Sequence, residues 1–98
     1  MNMQNLMAQA QKLQRDITSK KEEIEKKEFT GSSEWVNVVF TGDKKMKNIT
    51  ISKEKLEDKD DIEALQDMIK IAIDEAISKI EKEFDEKLGM YSNMGGLM

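Results

Sequence analysis

EFTGSSEWVNVVFTGDKKMKNITIS, residues 28–52, decides the fold, because the hydrophobic period changes here from that of a helix to that of a strand. Two runs rich in β-branched and aromatic residues are set off by Gly31-Ser32-Ser33 and Thr41-Gly42-Asp43. Val36, Val38 and Phe40 alternate onto one face, and Ile49 and Ile51 can continue that face on the next strand. Trp35, Asn37, Val39 and Thr41 fall on the other. Glu28 to Thr30 can supply a third strand. The spacing predicts a small antiparallel meander.

Upstream, MNMQNLMAQAQKLQRDI opens a stripe in which Met3, Leu6, Ala10, Leu13, Ile17, Lys20 and Ile24 recur at alternating three- and four-residue steps, broken only by Lys20. The intervening Gln, Lys and Glu are good helix formers, and neither Gly nor Pro occurs before Gly31. A helix is predicted from about Asn2 to Lys27, roughly 39 Å long. Downstream, after the polar SKEKLEDKD, Asp60-Asp61-Ile62-Glu63 fits a capping box with Asp60 as the cap. Ile62, Leu65, Met68, Ile69, Ala72, Ile73, Ala76, Ile77, Ile80, Phe84 and Leu88 then follow at helical spacing, and Gly89 reads as the stop. That helix is about 29 residues, on the order of 43 Å. The tail MYSNMGGLM, about residues 90–98, reads as mobile.

The expected architecture is therefore α+β, with the order αβββα and two long helices flanking the meander. It forms one domain over residues 1–98. Strands of six or seven residues cover only about 20 Å, so helices of about 40 Å cannot bury their apolar stripes on this sheet alone. The overhang predicts a homodimer.

Composition narrows the function. The chain has no Cys and no His, which removes thiolate chemistry, imidazole bases and the commonest transition-metal ligands. No calcium-loop spacing is present. An enzyme is not expected, nor a metal, a cofactor or a small-molecule substrate. No run of about 18 apolar residues exists to span a bilayer. The opening lacks the basic region of a secretory signal, so a cytoplasmic protein is expected. The net charge of −4 hides an asymmetry: residues 1–56 carry eleven Lys/Arg against eight Asp/Glu, and residues 57–98 five against twelve. One surface can be basic on an acidic protein.

The order of motifs resembles the YbaB/EbfC family of bacterial nucleoid-associated proteins over about 90 residues. MNMQNLMAQAQKLQ resembles its "nLmkQaqkmQ" opening, EFTGSS its V-T-G turn, and WVNVVFTG its V-x-V-x-x-N-G strand. MKNITIS and the run KEKLEDKDDIEALQDMIKIAIDEAISKIEKE resemble the family's last strand and final helix. This chain departs in having Ser32-Ser33-Glu34 for a longer Gly-containing loop, Thr41-Gly42 for Asn-Gly, and Lys53 where a Pro is usual. The resemblance implies a tweezer-shaped αβββα homodimer. It also implies binding to duplex DNA with little or modest sequence preference, a nucleoid location, and effects on chromosome organisation and gene expression.

The candidate DNA-binding residues are Lys12, Arg15, Lys20, Lys21, Lys26 and Lys27 on the first helix, with Lys44, Lys45 and Lys47 at a hairpin. On charge pattern alone they also read as a solvated face, since Glu22, Glu23, Glu25 and Glu28 interleave with them. The resemblance favours phosphate contact. A single Arg argues for backbone contacts rather than readout of guanine. Leu6, Leu13, Ile17, Trp35, Val36, Val38, Ile49, Ile73 and Ile77 are the expected core or dimer-packing residues. Met3 and Met7 read as packing rather than soft-metal ligands, and Asp60/Asp61 and Asp85/Glu86 as cap and surface rather than an acid/base pair. The acidic C-terminal half and the long stripes also suit a helical module holding a protein partner.

Overall fold

The structure, a computed structural model, describes residues 2–92, with side chains described through Gly89. Its elements are α1 (Met3–Lys26), β1 (Glu28–Ser33), β2 (Val36–Thr41), β3 (Met46–Ile51) and α2 (Lys59–Ser92), the expected αβββα order of an α+β fold. The three strands form one antiparallel sheet in the order β1-β2-β3.

Helix α1 begins at Asn2, whose side chain accepts a hydrogen bond from the Asn5 N–H at 2.8 Å and so satisfies one of the free first-turn donors. Helix α2 starts earlier than the sequence suggests. Its cap is Asp58, which accepts from the Asp61 N–H at 3.0 Å, while the Asp61 carboxylate reaches back to the Glu57 N–H at 2.8 Å. The cap thus lies two residues upstream of Asp60, and because Asp61 closes on the N–H of the residue before the cap rather than on that of Asp58, the reciprocal bond of the expected capping box is replaced by this one. Glu63 instead stands 3.9 Å from Lys59. Gly89 does not stop the helix, which runs through it to Ser92. One glycine costs a helix about 1 kcal/mol relative to Ala, too little to end one of this length. The expected tail thus starts no earlier than residue 93, and residues 93–98 lie outside the described part.

The meander differs at its first strand. β1 extends to Ser33, and Gly31-Ser32-Ser33 belongs to the strand rather than to a turn. The turn is Glu34-Trp35, with Ser33 opposite Val36 and a positive φ of 42° at Glu34, the conformation a two-residue hairpin favours at its first position. Trp35 therefore sits in the turn, partly buried against the core, with the Lys53 ammonium 4.2 Å from its ring centre.

The core comprises Ile24, Phe29, Val36, Val38, Phe40, Ala72, Ala76 and Ile80. Val36, Val38 and Phe40 supply the alternating inner face of β2, and Phe29 and Gly31 lie opposite Phe40 and Val38 on the same face. Helix α2 packs chiefly on β1 and next on β2, and has at most marginal contact with β3. Ile49 and Ile51 are in register with Val38 and Val36, so they do continue the inner face. Yet they are 39% and 42% exposed, because neither described helix covers them.

Two glycines set the close approaches. A β-carbon at Gly31 would stand 1.9 Å from the Ala72 carbonyl oxygen, and one at Gly42 1.9 Å from that of Ile24. The first brings α2 onto β1; the second brings the β2–β3 turn onto the end of α1, where the Gly42 N–H donates to the Lys27 carbonyl at 3.0 Å. The N-terminal half of α1 then runs beyond the sheet, and every residue from Asn2 to Lys12 is exposed. The molecule measures 72 × 21 × 14 Å.

Candidate nucleic-acid interface

The nine basic candidates divide into two environments. Successive residues of an α-helix advance by about 100°, which places Lys12, Arg15 and Lys26 within about 60° of one another, opposite the Leu6–Leu13–Ile17–Ile24 stripe. All three are exposed, and among the described residues none makes an ion pair. Asp16, Glu22 and Glu23 temper this ridge towards the sheet, so its most basic part is the projecting half. Lys26 also sits in the last turn, where a cation complements the helix dipole.

Lys20 and Lys21 leave the ridge. Lys20 is half-buried in a cleft with Glu23, Ile24, Lys27, Glu83 and Lys87. Lys21 lines the groove between the helices beside Gln14, Ile17, Phe84 and Leu88.

The hairpin lysines and Lys27 occupy a different field. Lys27 is 3.1 Å from Glu83, Lys44 3.6 Å from Glu81, and Lys45 3.9 Å from Asp43. Lys47 pairs with Glu28 across the sheet. A bulge between Val39 and Phe40, whose partners are Asn48 and Met46, leaves Lys47 without a ladder partner. Thr41 donates its hydroxyl proton to Asp43, and this bond holds the Asp43 carboxyl below its ordinary value of 3.8. The carboxylate persists until the pH falls through that lowered value, so Asp43 stays ionised beside Lys45 near neutrality. The carboxylates of α2 that face the hairpin are far away in sequence, and no local pattern announces them.

The packing candidates are also divided. Val36 and Val38 are 1% and 0% exposed. Trp35, Ile73 and Ile77 pack against the core while partly exposed, and Leu13 and Ile17 are half-buried on α1. Leu6 and Ile49 are exposed, as are Met3 at 76% and Met7. Among the described residues no group of His, Cys, Asp or Glu could hold a metal ion. No described helix is long and apolar enough to cross a membrane.

Comparison with known proteins bears on this arrangement. The YbaB/EbfC DNA-binding family model matches residues 1–96. A nucleoid-associated protein of Ligilactobacillus salivarius is 43% identical over 100 residues, covering 99% of this chain and 95% of that protein. One from Streptococcus equi subsp. zooepidemicus is 45% identical over 94 residues, covering 94% of each. Another, from Enterococcus faecalis, is 41% identical over 93 residues, covering 93% of this chain and 88% of its own. These names describe nucleoid association, and none describes a catalytic activity. With the family pattern running almost from end to end and relatives above 40% identity, the chain belongs to the YbaB/EbfC DNA-binding family.

Proposed function

We propose that this protein is a cytoplasmic, nucleoid-associated homodimer that binds duplex DNA largely through backbone phosphates, with low sequence specificity, and so influences chromosome organisation and gene expression. The observation that carries the reading is the ridge Lys12–Arg15–Lys26: exposed cations without ion pairs among the described residues, on a helix whose N-terminal half stands clear of the sheet. Such cations displace counterions from a duplex, so affinity depends on how many phosphates they meet and falls with salt. Lys20, Lys21 and Lys27 border this ridge on the same helix or at its end, and Lys44, Lys45 and Lys47 serve as secondary contacts within a neutralised field.

The uncovered edge of the sheet supports the homodimer in this reading. Ile49 and Ile51 complete an inner face that α2 leaves uncovered, and a partner's apolar surface can close it. A two-fold pair also presents two ridges to one duplex, which doubles the phosphate contacts. Anisotropy titrations of several unrelated duplexes across a salt series test the proposal. Comparable affinities and a steep linear fall of log affinity with log salt are expected; no binding at about 50 mM salt, where electrostatic association is strong, overturns it.

The alternative, a helical module holding a protein partner, is favoured by one feature. Asp60, Asp67, Asp74 and Glu81 recur at seven-residue spacing along α2, and Ile71 beside them is 55% exposed. Pull-down from lysate with and without nuclease separates the readings, since partners retained after nuclease belong to the protein.

A further inference from the structure

We infer that the projecting half of α1 reads base edges in the major groove through Gln4, Gln11 and Arg15, giving a graded base preference on top of the phosphate contacts. The inference rests on the DNA-binding reading above and deepens it.

Gln4, Ala8, Gln11 and Arg15 recur at steps of four, three and four residues, which sets them in one line along the helix. That line lies opposite the Leu6–Leu13 stripe, so it remains outward when the apolar face is covered. All four residues are exposed. Among the described residues the side chains of Gln4, Gln11 and Arg15 make no hydrogen bond or ion pair, so none has to be released before meeting a base. No carboxylate occurs before Asp16, and Lys12 flanks the line where a phosphate wall would stand. Ala8, between the two glutamines, keeps the centre of the face low enough for the backbone to enter a groove.

The chemistry and the dimensions agree. A major groove admits an α-helix; a Gln amide can accept from adenine N6 and donate to N7, and an Arg guanidinium can donate to guanine O6 and N7. Gln4 to Arg15 spans about 16 Å of helix axis, or roughly five base-pair steps at about 3.4 Å each. Three such side chains on one helix discriminate modestly, because the phosphates still supply most of the affinity.

The test uses the full chain. A randomised duplex pool is selected for binding near physiological salt, and the best duplex is compared with its scrambled counterpart by anisotropy. We expect a preference of about tenfold or more, the size a single good bidentate contact supplies. The triple variant Gln4→Ala/Gln11→Ala/Arg15→Lys should bind both duplexes alike with an unchanged salt slope, and its helix should persist because Ala is the best helix former and Lys nearly as good as Arg. Arg15→Lys should keep the charge and lose part of the preference. Wild-type affinities within about twofold of each other, against the discrimination a bidentate contact gives, overturn the inference and leave salt-dependent DNA binding intact. A preference that survives undiminished in the folded triple variant overturns it as well. Absence of binding to any duplex overturns both this inference and the reading beneath it.

Discussion

A β-carbon at Gly31 would stand 1.9 Å from the Ala72 carbonyl oxygen and 2.9 Å from the Ala76 backbone nitrogen. Backbone on both sides cannot give way as a flexible side chain would, so any larger residue must lift α2 off β1. Because Ala72, Ala76 and Ile80 are fully buried at this contact, lifting the helix loosens the middle of the core. Gly31→Ala should therefore cost about 3 kcal/mol or more, at or beyond the upper end of overpacking substitutions. The same substitution at Gly89 should have the opposite sign. A β-carbon there meets nothing within 4 Å, and replacing a helical glycine by Ala gains up to about 1 kcal/mol. Urea unfolding midpoints of the two variants check both signs in one experiment. At this scale the sequence misleads: Gly31-Ser32-Ser33 reads as turn punctuation, whereas Gly31 is there for the helix that crosses it. The partner of this close approach, Ala72, is far away in sequence and leaves no local signature.

At the scale of elements, the two groups of lysines differ in the charges around them. The ridge on α1 carries its charge on one helix face, and the spacing of Lys12, Arg15 and Lys26 is legible once the helix is assigned. The hairpin cluster looks more basic in sequence than it is in space, because Glu81 arrives from α2, Glu28 from β1 and Asp43 from the turn itself. Exposed ion pairs are individually weak, but a carboxylate beside each cation lowers the local potential that a phosphate meets. Replacing Lys12, Arg15 and Lys26 by Ala should reduce the slope of log affinity against log salt by about 0.9 for each phosphate that is no longer neutralised. Replacing Lys44, Lys45 and Lys47 by Ala should reduce it by less, and should weaken all duplexes by the same factor. Anisotropy titrations of the two triple variants decide the order; a larger reduction from the hairpin variant would place the main DNA surface there. The helices and the inner face of β2 were readable because their periods are local. The α2 cap was not, since Asp58, Asp60 and Asp61 are all competent caps and only the final geometry selects among them.

For the whole molecule, the determining feature is what the protomer leaves uncovered. Ile51 pairs with Val36 and Ile49 with Val38, and the β2 members are essentially inaccessible while the β3 members are about two-fifths exposed. One sheet face is thus dry at one edge and wet at the other, a discontinuity that follows from α2 lying over β1 and β2. Met3, Leu6 and Met7 add a second uncovered apolar stretch on the projecting helix. The sequence anticipates the excess of helix over sheet from lengths alone, but it cannot say which strand goes bare, because that depends on where Gly31 seats α2. A second copy placed over β3 removes this surface from water, and the association should be lost when that surface becomes charged. Ile51→Glu changes an exposed residue, so the protomer should retain its helical content by circular dichroism. In sedimentation equilibrium at micromolar concentration the wild-type chain should have twice the mass of one protomer, and Ile51→Glu the mass of one. DNA affinity should fall with it, because each protomer then brings one ridge instead of two to the duplex and the salt slope halves with the number of phosphates met. A wild-type chain that sediments as a monomer, or an Ile51→Glu variant that remains a dimer, would refute closure of the β3 face by a second copy.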